Sequence, residues 1–335
     1  MTATGVNGNG ETTRSGARAL LLLVSPLNGT ILQKLSDGSK RLVDLRRETG
    51  SPAQTTLRAH LRELEAARAI EKRRRDRFPG VLEYELTASG TELLFVVAAV
   101  EQWLREAPNG PLDFGGTDGK AAIKSLIESW SSTMLRALAA RPLSLTELDR
   151  IIANLSYPSL ERRLGAMRLT GQVEACSGNG KGTPYAPTAW LRRGIAPLAA
   201  AAQWERRHLP EDSVAITRID VEAALLLVLP LLELPCDLTG SCRLGVEMSD
   251  GNGRRLVGAM AQIEDGELAS CSVRLDREAD AWVTGPTSAW LRGVIEEDTD
   301  GLELGGDQRL ARALVEGLHV ALFGDAAMPV ATQAA

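Results

Sequence analysis

Apolar residues recur at helical spacing through the first two-thirds of the chain and at alternate positions in the last third, which divides it into a helical part and a strand-rich part. The first part opens with short apolar helices over residues 31–35 and 42–49. After the Gly50-Ser51-Pro52 break a longer helix is predicted over 53–69, with Ser51 as its N-cap and Pro52 in its first turn. Within it Leu57, Leu61 and Leu64 form one buried stripe, and the opposite face carries the short or basic side chains of Gln54, Thr55, Thr56, Arg58 and Arg62. Residues 70–74 and 82–86 alternate as two strands around a turn at Phe78-Pro79-Gly80, and a helix then runs to Trp103. The hairpin tip holds Lys72, Arg73, Arg74, Arg75 and Arg77. A helix-turn-helix followed by a basic hairpin is the winged-helix order of a nucleic-acid reader.

The same pattern returns at a constant offset of 103 residues. It pairs Leu32 with Leu135, Leu45 with Leu148, Leu57 with Leu160, Leu61 with Leu164 and Ile70 with Val173. The offset then falls to 101, pairing Tyr84 with Tyr185, Thr87 with Thr188 and Trp103 with Trp204, so a loop in the second copy is shorter by two residues. Where the first copy has Thr55, Arg58 and Arg62, the second has Pro158, Glu161 and Gly165, and its hairpin tip carries one lysine, Lys181. Groove contact by the second copy is therefore expected to be mostly to phosphate, through Arg162, Arg163, Arg168 and Lys181.

In the last third, alternation over 243–248, 256–263, 269–275, 281–284 and 302–304 predicts a meander-like sheet broken by Asp-Gly and Gly-Asn turns. Helices are predicted over 286–292 and 307–323, the latter with a stripe of Leu310, Leu314, Leu318 and Leu322. Leu225, Leu227, Met248, Met260, Trp282, Trp290, Leu291 and Phe323 supply adaptable apolar surface of the kind that lines ligand cavities.

At 335 residues the chain exceeds one hydrophobic core. The predicted division is a polar tail over 1–16, units over 17–107, 120–209 and 215–325, and a second tail over 326–335. The longest apolar run, 223–232, is interrupted by Pro230 and reaches half the roughly 20 residues of a bilayer-spanning helix, so a cytoplasmic protein without membrane contact is expected. Charge sharpens the division. Residues 1–110 carry 16 Lys/Arg against 13 Asp/Glu and 111–210 carry 13 against 8, whereas 211–335 carry 9 against 22. A polyanion is expected to meet the first two units and not the third. The four cysteines are scattered and lack zinc spacing. No metal or cofactor is expected. The three histidines sit on different predicted elements with structural roles, and neither a serine elbow nor a carboxylate dyad is present, so the chain does not read as an enzyme.

The stretch 35–93, with its helix spacing, the 81–87 segment VLEYELT and the closing tryptophan helix, resembles the HxlR-type, MarR-like winged-helix transcriptional regulators. The resemblance implies a DNA-binding regulator of double-stranded DNA that works as a pair of reading units, here an internal pseudo-dimer within one monomer or a homodimer. Residues 279–324, with their strand, small-residue turn into a tryptophan helix, glycine-aspartate cap and final leucine helix, resemble the sterol carrier protein 2-like domain. That likeness covers roughly 215–325 and implies a five-stranded α/β fold with an apolar tunnel for lipid-like or polycyclic molecules. Together these give an α+β multidomain chain: two winged helix-turn-helix units and a carrier-like domain. The expectation is a repressor whose DNA binding is modulated by a hydrophobic small-molecule effector. The alternative is a carrier or sequestration protein that uses the winged helices as a scaffold.

Overall fold

The computed structural model describes residues 14–75, 81–177, 182–250 and 253–324. The first unit runs α1 (Ala17–Leu23), α2 (Pro26–Ser36), β1 (Lys40–Arg41), α3 (Leu42–Glu48), α4 (Gln54–Ala66), β2 (Ile70–Arg75), β3 (Val81–Leu86) and α5 (Ala88–Arg105). Leu57, Leu61 and Leu64 of α4 are buried against Ile31, Leu32, Leu35 and Leu45, as the stripe predicts. The strands form a sheet in the order β1-β3-β2, with both pairings antiparallel.

Two boundaries differ from the sequence pattern. Ser51 does not cap α4: it lies at φ 54, just after Gly50 at φ 85, and its N–H donates to the Arg46 carbonyl, so both residues close α3. Ala53 occupies the N-cap position of α4 without a side-chain bond. At the other end α4 stops at Ala66, because Arg68 at φ 58 turns the chain into β2. Above that turn α5 comes so close that a Cβ on Gly90 would lie 1.9 Å from the Ala69 carbonyl oxygen, an approach only glycine permits.

The next unit comprises α6 (Thr117–Lys124), a π-helical turn (Ser125–Ser129), α7 (Ser132–Ala140), β4 (Leu143–Ser144), α8 (Leu145–Ile151), α9 (Tyr157–Leu169), β5 (Val173–Ala175), β6 (Pro184–Pro187), α10 (Ala189–Arg193) and α11 (Ile195–His208). Its sheet order is β4-β6-β5. Lys40 pairs with Tyr84 and Leu143 with Tyr185; Ile70 pairs with Leu86 and Val173 with Pro187, so the two sheets share one register. Thr87 Oγ1 donates to the Arg68 carbonyl and accepts from Gly90 N, while Thr188 Oγ1 donates to the Gly171 carbonyl and accepts from Leu191 N. The long helices α5 and α11 pack on one another, and Trp103 Nε1 donates to the Trp190 carbonyl while Trp204 Nε1 donates to that of Ser89.

The last unit contains α12 (Arg218–Val228), β7 (Gly240–Asp250), β8 (Gly253–Glu264), β9 (Glu267–Ser272), β10 (Ala281–Pro286), α13 (Thr287–Glu296), β11 (Glu303–Gly306) and α14 (Gln308–Phe323). The five-stranded sheet has the order β11-β10-β7-β8-β9, and β10 runs parallel to β7. The meander expected from alternation therefore holds only for β7–β9. Alternation reports which side chains face the core and carries no information on which strand is the neighbour.

This unit docks on the helices of the other two. Phe95 meets Phe323 with ring centroids 5.5 Å apart, and Glu296 accepts from Gln203 Nε2 at 2.7 Å and pairs with Arg207 at 2.6 Å. Glu222 of α12 pairs with Arg136 of α7, and Arg192 donates to the carbonyls of Leu226 and Leu227. Among the described residues no single helix is long and apolar enough to cross a membrane; α1 and α2 together are, but they bend by 86° and bury Leu20, Leu23, Ile31 and Leu32.

Candidate functional site

One face of the first unit is basic. Gln54, Thr55, Thr56, Arg58 and Arg62 all project from the exposed side of α4, as a 100° turn per residue requires once Leu57, Leu61 and Leu64 face inward. The helix is held at a fixed angle from below. Asn28 is fully buried, donates to the Leu22 carbonyl at 2.7 Å, and its Oδ1 lies 3.0 Å from His60 Nδ1, so His60 ties α4 to α2.

The cations on this face differ in their freedom. Lys72 pairs with Glu65 at 2.7 Å and lies over the Tyr84 ring at 5.6 Å, which joins the hairpin to α4. Arg73 pairs with Glu85 at 2.6 Å across the hairpin. Arg58, Arg62 and Arg74 are exposed and make no ion pair among the described residues, leaving three guanidinium groups open to a phosphate or a base edge. Arg75 is in β2, and Arg77 lies outside the described residues.

In the second unit α9 occupies the corresponding place and presents a different surface. Pro158, Glu161 and Arg162 are exposed on it, with Gly165 half-buried. Arg163 turns back and donates to the carbonyls of Glu128 at 2.6 Å and Trp130 at 3.0 Å, tying α9 to the end of the π-helical turn. Lys181 lies outside the described residues.

A cavity of about 180 Å³ lies between the last unit and α11. Val221, Ala224, Leu225 and Val228 of α12, Trp290, Leu291 and Val294 of α13, and Leu318 and Leu322 of α14 form one wall; Ile195, Leu198, Ala199 and Ala202 of α11 form the other. Trp290 Nε1 donates to the Gly245 carbonyl at 2.8 Å, which fixes the indole at the floor and turns its carbon face to the cavity. The space exceeds the roughly 150 Å³ apolar void that suffices to bind a benzene ring.

Of the apolar residues singled out from the sequence, Leu225, Trp290 and Leu291 line this cavity. Five do not. Leu227 is fully buried in the core, Met248 and Met260 lie on β7 and β8 away from it, Trp282 packs against Gly305, and Phe323 meets Phe95 in a tilted ring contact. The sequence also missed half of the wall, because α11 and the Trp130–Ser132 segment belong to another unit. Arg14 and Ser15 line the cavity too, so residues 14–16 are packed structure where the sequence reading placed a tail. They are fixed by Glu205, a buried α11 carboxylate that accepts from Gly16 N at 2.8 Å and Ala19 N at 2.9 Å. Burial raises that carboxyl above the ordinary carboxylate range, with the two N–H donors acting in the opposite direction.

Residues 24–109 match the HxlR-like helix-turn-helix family model, and over this segment the chain belongs to that family. A solved structure, the reduced form of the transcriptional regulator YodB from B. subtilis, is 30% identical and covers 28% of this chain and 91% of its own, with a TM-score of 0.26. No curated protein matches. HxlR-like proteins are DNA-binding transcriptional regulators rather than enzymes, and the basic face of α4 lies inside the matched segment.

Proposed function

We propose that the chain is a transcriptional repressor that reads double-stranded DNA with α4 and its wing, carries a second winged helix-turn-helix as an internal partner, and takes a hydrophobic effector into the cavity beside α11. The observation that carries this reading is the shared wall: α11 faces the cavity through Leu198 and Ala202 and packs on α5, the long helix of the DNA-reading unit. A ligand regulates only if it binds one arrangement of these parts more tightly than another. A cavity wall made from the helix that joins the two reading units provides that difference.

The second unit supports the reading as a pairing element. Its register, its threonine caps and its tryptophan bond repeat those of the first, while Glu161 and the committed Arg163 weaken its own claim on DNA. DNA recognition would then be lopsided, with bases read by Arg58 and Arg62 and the second unit setting geometry. The carrier-like character of the last unit rests on its five-stranded sheet and on the helices α12–α14 that wall the cavity. A carrier that uses the reading units only as scaffold has no use for three exposed arginines that lack an ion pair among the described residues.

The test is a salt titration of binding to DNA from immediately upstream of the gene, with and without a panel of apolar compounds, on the full chain and on Ala224→Phe. Specific binding with a steep salt slope, weakened by a compound in the full chain but not in Ala224→Phe, is the expected result. Tight uptake of a compound without any DNA binding would replace the regulator with the carrier.

A further inference from the structure

Apart from Thr287, the polar residues that line the cavity are Arg14, Ser15, Ser132 and Asp220. The polar groups there are unequally supplied. Asp220 is well supplied: one carboxylate oxygen accepts from Ser132 Oγ and the other from the backbone and hydroxyl of Thr217, closing the N-terminus of α12. Arg14 is not. Its guanidinium carbon lies 4.3 Å from the centre of the Trp130 ring, and its Nε and Nη1 are buried with no hydrogen-bond partner; Ser15 Oγ is in the same condition. Burial lowers the Arg14 pKa to about 10 against the opposing pull of Asp220 and Glu205, which leaves it cationic at neutral pH.

A guanidinium with two of its three nitrogens withdrawn from water and unpaired is unfavourable unless something completes it. The stacked indole covers its face and leaves the Nε and Nη1 donors, which lie on different edges of the group, without acceptors, and a carboxylate oxygen is the acceptor that suits either. The position is not an accident of a loose end. Gly16, at φ 84, has no room for a Cβ, which would lie 2.8 Å from the Leu198 carbonyl oxygen, and Glu205 holds the next turn, so the arm reaches the cavity mouth along a fixed path.

We infer that the cavity is a composite site for an amphipathic carboxylate, whose apolar body lies between α11, α12 and α13 and whose head group is anchored by Arg14 from the first unit. This rests on the effector reading above and adds to it the ligand's charge and the residue that selects it. Since Arg14 precedes α1 and α1 is held by Glu205 of α11, an anion at Arg14 adds a bond between the last unit and the helices that carry the reading face.

Decanoate and 1-decanol separate the two ideas, because they share an apolar body and differ in the head. Their affinities are measured calorimetrically, and by the fluorescence of Trp130 and Trp290, on the full chain, Arg14→Met and Ala224→Phe. The expected result is a preference of the full chain for decanoate of about tenfold or more. Arg14→Met, which keeps the apolar stem, loses that preference while binding decanol as before, and Ala224→Phe weakens both. If decanol binds the full chain as well as decanoate does, or if Arg14→Met keeps the preference, the anion anchor is overturned and the apolar effector site stands. Binding of neither compound overturns the anchor and the effector site together.

Discussion

The indole of Trp103 stacks on that of Trp190, with ring centroids 4.6 Å apart and planes 7° from parallel, and each Nε1 donates to the other residue's carbonyl oxygen, at 2.9 and 2.7 Å. At the offset of 101 residues the Trp103–Trp190 bond becomes Trp204–Ser89, which is present at 2.8 Å. Two equivalent bonds across one contact are what a two-fold interface produces, here between parts of a single chain. Replacing Trp103 by Phe keeps most of the stacked area and removes one of the two donors to the Trp190 carbonyl, which still accepts from Gly194 N, so we expect a loss of about 1 kcal/mol in urea unfolding. Trp103→Ala removes the area as well and is expected to cost about 3–5 kcal/mol.

The arginines on the exposed basic face and Arg163 of α9 should behave differently in salt. Arg58→Ala, Arg62→Ala and Arg74→Ala each remove a cation with no ion-pair partner among the described residues, and any of them that meets a phosphate should lower the slope of log affinity against log salt by about 0.9. Arg163→Ala removes two hydrogen bonds to the Glu128 and Trp130 carbonyls. It should lower stability by about 1–3 kcal/mol and leave the salt slope alone. A DNA titration at several salt concentrations, run beside a urea melt, reads both.

Acid should expose the cap of α8. Glu147 accepts from the backbone N–H and the hydroxyl of Ser144 and from Arg141, and these hold its carboxyl down to about 2 from an ordinary 4.5. A depressed carboxyl stabilises the fold above its unfolded pKa and loses that contribution as pH falls toward the folded one. The difference in melting temperature between the native chain and Glu147→Gln should therefore be steady above about pH 5 and shrink as pH drops from 4.5 toward 2.

Thiol reactivity should divide by burial. Cys242 lies in the sheet core with its pKa pushed up to about 12 by desolvation, whereas Cys236 is exposed. Iodoacetamide at pH 8, followed by peptide mass spectrometry, should label Cys236 and spare Cys242 until the chain is unfolded.

What could be read from the sequence followed the range over which each signal acts. The stripe of Leu57, Leu61 and Leu64 and the exposed row of Arg58 and Arg62 come from periodicity within one helix, and both appear where the spacing puts them. Ser51 misled because a serine before proline fits a cap equally well whether the chain is entering one helix or leaving another, and only the dihedral of Gly50 distinguishes the two. Among the apolar residues of the last third, Leu225, Trp290 and Leu291 line the cavity while Leu227 and Met260 fill core, and composition cannot separate a wall from a filling. Arg14 could not be found at all. Its significance depends on Trp130 and α11, more than a hundred residues away, and a basic residue in a polar stretch gives no sign of burial.

Arg14 and Leu322 border the same cavity from nearly opposite ends of the described chain. Contacts so far apart in sequence form after local ones, because the intervening loop must close before any bond repays its entropy. The packing of α4 and its hairpin comes mainly from neighbouring segments, α2 and β1–β3. On the function proposed above, synthesis therefore passes through an interval in which the basic face of α4 is already formed and the cavity is not yet closed, and the length of that interval is set by how fast the last helix is made and docked.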